Sequence, residues 1–147
     1  MEARRRPQRP VLPGAQSALE RLGSIFRLGL ATSAAPAVAQ AVLGKTGWAA
    51  HFAVTVSADD VQRGKPAPDV YVRALELMGA DPRRAAAIED SANGIRSAHA
   101  AGLAVIVIPN RTFPPDRQSM TVASRILTSL EELNVETIEA ALRKAAS

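Results

Sequence analysis

The chain has no cysteine and few aromatic residues: one Trp, one Tyr and three Phe among 147 residues. The first absence excludes a disulfide framework, a thiolate metal site and thiol chemistry, and accords with a cytoplasmic location. The second leaves few surfaces on which nucleic-acid bases could stack. Long apolar runs are missing as well. Stretches such as Leu103–Pro109, "LAVIVIP", fall far short of the roughly 20 residues of a membrane span, and no apolar signal core follows the N-terminal arginines. What the chain does have is 47% apolar residues, enough for one soluble domain with a real core and too few residues for two comfortable ones.

The net charge of +4 invites a nucleic-acid reading until it is located. Arg4, Arg5, Arg6 and Arg9 against Glu2 account for +3 of it, which leaves +1 for everything after residue 10. "MEARRRPQRP" is Arg- and Pro-rich without apolar periodicity, and reads as a disordered basic tail ahead of a folded part over 11–147. Neither a nucleic-acid nor a membrane partner is expected.

Beyond the tail, strands and helices alternate. The pattern predicts a helix over 13–23, a strand over 25–31 with Phe26, Leu28 and Leu30 on one face, and a helix capped by Ser33 and stopped around Gly44 to Gly47. A strand over 53–57 leads through "ADDVQRGKPAP" to a helix over 69–79. Then come a strand over 85–89, a helix from Ser91 to about Ala101, a strand over 103–109, and a short strand at 123–127. Thr128 with Glu131 reads as a capping box, and 135–146 as a closing amphipathic helix. Near-continuous apolar strands alternating with helices predict an α/β fold, a Rossmann-like parallel sheet covered by helices on both faces.

In such sheets ligands gather beyond the carboxyl ends of the strands. Thr32 and Ser33 follow the first strand, and read either as a plain cap or as a hydroxyl-lined anion site at a helix start. Lys65 lies in "GKPAPD", where Gly64 and Pro66 restrict the backbone; it is either a solvated lysine or a fixed counter-charge for phosphate. Glu89 and Asp90 follow the third strand, and read either as a helix cap with a solvated neighbour or as ligands for a hard divalent cation. Hydroxyl, cation and carboxylates at successive strand ends suit phosphoryl transfer.

These strings, "LGLATSA", "DDVQRGKPAPDVYVRAL" and "AAIEDSANGIRSAHAAGLAVIVIP", resemble the haloacid dehalogenase superfamily from about Val11 to Leu133. Within it they are similar to the phosphatases and mutases around beta-phosphoglucomutase and phosphoglycolate phosphatase. The resemblance implies that Thr32 holds the substrate phosphate, with Ser33 beside it, and that Lys65 stabilises the charge of phosphate and nucleophile. It implies that Glu89 and Asp90 bind Mg²⁺, directly or through water, and that "ANG" at Ala92 to Gly94 makes the tight start of the next helix. The substrate it implies is a small phosphorylated metabolite.

The family's chemistry begins at an Asp-x-Asp motif after a first strand, whose first Asp forms an aspartyl-phosphate and whose second is general acid and base. The six aspartates here are Asp59, Asp60, Asp69, Asp81, Asp90 and Asp116, and none stands in such a motif. The resemblance therefore implies an incomplete core, without the central nucleophile strand and the helical cap, unable to catalyse alone. Either a longer reading frame or a second chain would complete it, or the chain is a non-catalytic phosphate- or Mg²⁺-binding protein. Residues 28–31 and 86–89, which would flank the absent strand, are expected to remain unpaired with each other.

Overall fold

Four consecutive apolar residues set the architecture. The structure, a computed structural model, describes residues 14–147, so the expected tail over 1–10 lies outside the described residues. In it Ala104–Val107 form strand β4, buried at every position. Successive side chains of a strand point to opposite faces. Val105 and Val107 accordingly join Val70, Tyr71, Ile95 and Ala98 in one cluster, while Ala104 and Ile106 join Leu22, Leu127, Leu133, Ile138 and Ala141 in another. A strand apolar on both faces needs helices on both. Helices α3 (Asp69–Met78) and α4 (Ala92–Ala100) supply the first cover, and α1 (Ala15–Gly23) and α6 (Val135–Ala146) the second.

All strand pairing is parallel. β4 lies between β3 (Ala86–Glu89) and β5 (Arg125–Ile126), with Ala86 opposite Ala104 and Glu89 opposite Val107. β1 (Gly29–Ala31) and β2 (Val54–Val56) form a separate two-stranded sheet with Leu30 opposite Thr55. The expected α/β layering is present, and among the described residues β1 and β3 do not pair. What joins the two sheets is α3, which packs on β1, β2 and α4. Between them is a cleft of about 470 Å³ lined by Leu30, Ala31, Ala86, Ile88, Val38 and Trp48, among others. Ile88 is 40% exposed there although it sits in a strand.

Three local expectations shift. The first strand begins at Gly29 and not at Ile25, because the N–H groups of Ile25 and Phe26 both donate to Leu22 O and close a turn behind α1. Ser33 does not cap α2 (Pro36–Thr46): the N-cap is Ala35 without a side-chain bond, and Ser33 is exposed. Pro36, favoured at the first helical position, sets the start of α2 and so places Ala35, which has no side-chain acceptor, at the N-cap. The capping box falls one residue later, on Ser129 and Glu132. Glu132 Oε2 also accepts from Thr128 N and Oγ1 at 2.6 and 2.7 Å, so Thr128 supplies added donors to the box and does not begin it. Elsewhere the punctuation is as read: Gly47, at φ 74° in the left-handed region, ends α2. The closing helix occupies Val135–Ala146.

Candidate active site

Three chain segments meet at the carboxyl ends of β1 and β3. Thr32 continues the β1 ladder by donating its N–H to Val56 O at 2.9 Å, and its Oγ1 accepts from Ala34 N at 3.0 Å. That bond holds the hydroxyl at the turn into α2. Ser33, the next residue, is exposed.

Lys65 arrives from the loop between β2 and α3. That loop is fixed at its start by Ser57, whose N–H and hydroxyl donate to Asp60 Oδ2 at 2.8 and 3.0 Å. It is fixed at its end by Ser97, fully buried on α4, whose hydroxyl donates to Ala67 O at 2.7 Å. Lys65 Nζ then donates to Ala31 O at 3.1 Å and to Glu89 Oε1 at 2.6 Å. One ammonium thus bridges the last residue of β1 and the last residue of β3, across the two sheets. The side chains of Lys65 and Glu89 are only 10% and 7% exposed, so this is a buried pair and not a solvated one.

Tyr71, in the first turns of α3, completes the group. Its hydroxyl donates to the same Glu89 Oε1, and Lys65 Nζ lies 5.1 Å from its ring centroid. Burial, followed by the Glu89 charge and hydrogen bond, pushes the phenol far above its ordinary value of 10.0, so the hydroxyl stays protonated and acts as donor. Glu89 also presses on the first turn of α4, where a Cβ at Gly94 would come within 1.8 Å of Glu89 Oε2. The glycine of "ANG" is there for this close approach.

Asp90 sits at the mouth, where Asn110 binds it twice: Asn110 N donates to Asp90 O at 3.1 Å, and Nδ2 to Oδ2 at 3.3 Å. Ser91 caps α4 by accepting from Gly94 N at 3.2 Å. The structure therefore brings Thr32, Lys65, Glu89 and Asp90 to one end of the fold. Glu89 is taken by Lys65 and Tyr71, which leaves Asp90 as the carboxylate at the mouth. Among the described residues no three His, Asp or Glu lie close enough to hold a metal ion.

Sequence reasoning passes over Tyr71, Ser97 and Asn110. Each carries a weak signal: Tyr71 is the chain's single tyrosine, Ser97 is a polar residue on the apolar face of α4, and Asn110 follows directly on the β4 run.

A protein-family model described as "Hydrolase: haloacid dehalogenase-like hydrolase" matches residues 3–102, and the chain belongs to this family of phosphatases and phosphomutases. The match starts within the Arg- and Pro-rich segment. The chain is 39% identical over 104 residues to protein CbbY of Rhodobacter capsulatus, covering 68% of this chain and 46% of that protein. It is 37% identical over 82 residues to hexitol phosphatase A of Escherichia coli K12, covering 56% and 37%. Among solved structures, CbbY from Rhodobacter sphaeroides in complex with phosphate superimposes with a TM-score of 0.78 at 32% identity, covering 87% of this chain and 58% of that one. The chain thus spans about half the length of the relatives it matches. Homologues in this family generally depend on Mg²⁺. No helix among the described residues is long and apolar enough to cross a membrane.

Proposed function

We propose that this chain forms the phosphate-handling end of a haloacid dehalogenase-type phosphatase or phosphomutase acting on a small phosphorylated metabolite. Thr32, with Ser33 at its rim, offers the hydroxyl for phosphate, and Lys65 the counter-charge. Asp90, and Glu89 once freed from Lys65, are the carboxylates for Mg²⁺. The observation that carries this reading is the Lys65 ammonium: an ammonium has three N–H donors, and two are directed at Glu89 Oε1 and at Ala31 O, on the residue before Thr32. The third is left for an incoming anion. Low exposure strengthens such a charge, because water does not screen it.

Catalysis through an aspartyl-phosphate is proposed for the completed protein and not for this chain alone. Asp59, Asp60 and Asp116 are exposed, Asp69 opens α3, and Asp81 bonds to Arg83. The split between the β1–β2 and β3–β4–β5 sheets favours a specific second reading, a subunit completed by a strand from another segment or chain. Two facing strand edges with an apolar cleft between them suit an extended, mostly apolar segment carrying the nucleophile.

The test uses the full chain with Mg²⁺. Phosphate release from p-nitrophenyl phosphate and a panel of sugar phosphates should stay at background, while inorganic phosphate should perturb the ³¹P or calorimetric signal of the wild type and not of Thr32→Val. Turnover abolished by Thr32→Val would overturn the non-catalytic part of the reading. Phosphate binding unchanged by that substitution would overturn the site.

A further inference from the structure

Lysine is a flexible four-carbon stem ending in a point charge, and a loop lysine keeps a defined direction only if something holds its head. Here the holder is itself held. The Glu89 carboxylate has Gly94 against one side and Lys65 on the other. Its Oε1 accepts from both Lys65 and Tyr71, and the Tyr71 ring lies beneath the ammonium. One aromatic residue therefore touches both members of the ion pair, the carboxylate through its hydroxyl and the ammonium through its face.

We infer that Tyr71 is the positioning residue of this site: its hydroxyl fixes the Glu89 carboxylate so that Glu89 directs the Lys65 ammonium to Ala31 O at the mouth beside Thr32. The inference deepens the reading of Lys65 as a phosphate counter-charge and rests on it for its functional consequence. The geometry separates two contributions within one side chain. Phenylalanine in place of Tyr71 keeps the ring under Lys65 and the packing against the core, and removes only the bond to Glu89. Leucine removes both. A Tyr71 that merely filled space would tolerate phenylalanine without any change at Lys65.

The composition makes this measurable. The chain has three lysines, Lys45, Lys65 and Lys144, and of these Lys45 and Lys144 are exposed. In ¹⁵N-lysine-labelled full chain at low temperature, one slowly exchanging ammonium signal is expected, from Lys65. Tyr71→Phe should keep the fold and raise the hydrogen-exchange rate of that signal roughly fivefold, the effect of losing one hydrogen bond. Glu89→Gln should raise it further. An unchanged exchange rate in Tyr71→Phe, with a raised one in Glu89→Gln, would overturn the inference and leave Tyr71 a packing residue.

If Tyr71→Phe does not fold, 3-fluorotyrosine labelling of the wild type marks Tyr71 alone, since it is the single tyrosine. Its one ¹⁹F resonance should shift in Glu89→Gln, and a resonance that does not move overturns the inference equally. A separate arm adds inorganic phosphate. The Lys65 signal should shift, with an affinity about fivefold weaker in Tyr71→Phe. A wild type whose Lys65 signal ignores phosphate counts against the phosphate reading, while the exchange comparison made without phosphate still decides the role of Tyr71.

Discussion

Replacing Gly94 by alanine tests whether the packing of Glu89 is as tight as the structure has it. Gly94 is the third residue of α4, and exposed glycine-to-alanine changes inside helices ordinarily stabilise by about 1 kcal/mol. Here the new methyl would lie 1.8 Å from Glu89 Oε2, 2.3 Å from Cδ and 2.8 Å from Oε1. Ordinary carbon–oxygen contact is about 3.3 Å, so the whole carboxyl group must retreat by more than about 1 Å. A displacement of that size breaks the 2.6 Å contact with Lys65 and the bond from Tyr71. Both charged heads are at most one-tenth exposed, so the small values typical of surface pairs do not apply. Breaking a buried pair costs about 3–5 kcal/mol, and less the helix gain the net loss is about 2–4 kcal/mol. In urea, with a slope of roughly 1–3 kcal/mol/M, the midpoint should fall by about 1–2 M. The same substitution in a Glu89→Ala background meets no carboxylate and should be neutral or stabilising. A wild-type midpoint unmoved by Gly94→Ala, or an equal loss in both backgrounds, would refute the reasoning.

Lys65→Met should strand the Glu89 carboxylate in the core, with a loss of about 3–5 kcal/mol and a melting temperature lower by roughly 6–20 °C. Lys65→Met combined with Glu89→Gln should recover most of it in thermal melts followed by circular dichroism, and no recovery would show that the pair is not the source of the loss. Bonds to Glu132 from the Thr128 side chain and backbone and from Ser129 hold its carboxyl below its ordinary value of 4.5. A carboxyl depressed in the fold stabilises above the unfolded value and loses that contribution as pH falls through the folded one. Glu132→Gln should therefore flatten the acid limb of stability below about pH 4.5; an unchanged limb in acid titrations of the unfolding midpoint would contradict the bonding. The chain's one tryptophan, Trp48, lines the cleft between β1 and β3. The dye 8-anilinonaphthalene-1-sulfonate, apolar rings with one anionic sulfonate, should quench Trp48 emission, and Ile88→Glu, which places a like charge in the cleft, should weaken that quenching several-fold. Quenching indifferent to Ile88→Glu would mean that the dye binds elsewhere.

How much of this is legible in the sequence depends on the range of the interaction involved. The closing helix is found at its exact bounds because its signals are local: Asn134 ahead of it, a 3.6-residue apolar stripe, and Arg143 and Lys144 in the last turn. The four buried residues of β4 are equally plain, since continuous apolar runs of that length suit a strand covered on both faces. The capping box is displaced by one residue because Thr128 and Ser129 offer the same hydroxyl. Only the three-dimensional turn decides which of them sits at the N-cap. Ser33 fails as a cap for a related reason: Pro36 at the first helical position moves the N-cap two residues on, to Ala35, which has no side-chain acceptor.

At the site the same boundary separates residue choice from residue partnership. That Lys65, Glu89 and Asp90 belong at one end of the sheet follows from their places after strands, which periodicity locates. That Lys65 and Glu89 spend their charges on each other does not follow, because it depends on a bond across 24 positions and on Tyr71 lying under both. Two adjacent acids read alike in a sequence, yet Glu89 points into the core and Asp90 to the mouth, as alternating side chains at the end of a strand must. The buried pair also sets a condition on any metal. A cation at this place must either draw Glu89 away from Lys65, with the loss of a buried pair, or bind through Asp90 and ligands that the described residues do not assemble. Phosphate meets no such obstacle, since Lys65 can take an anion with its third N–H while it keeps Glu89. On the proposed reading, phosphate binding therefore leaves the buried pair in place, whereas metal binding through Glu89 requires that the pair be broken first.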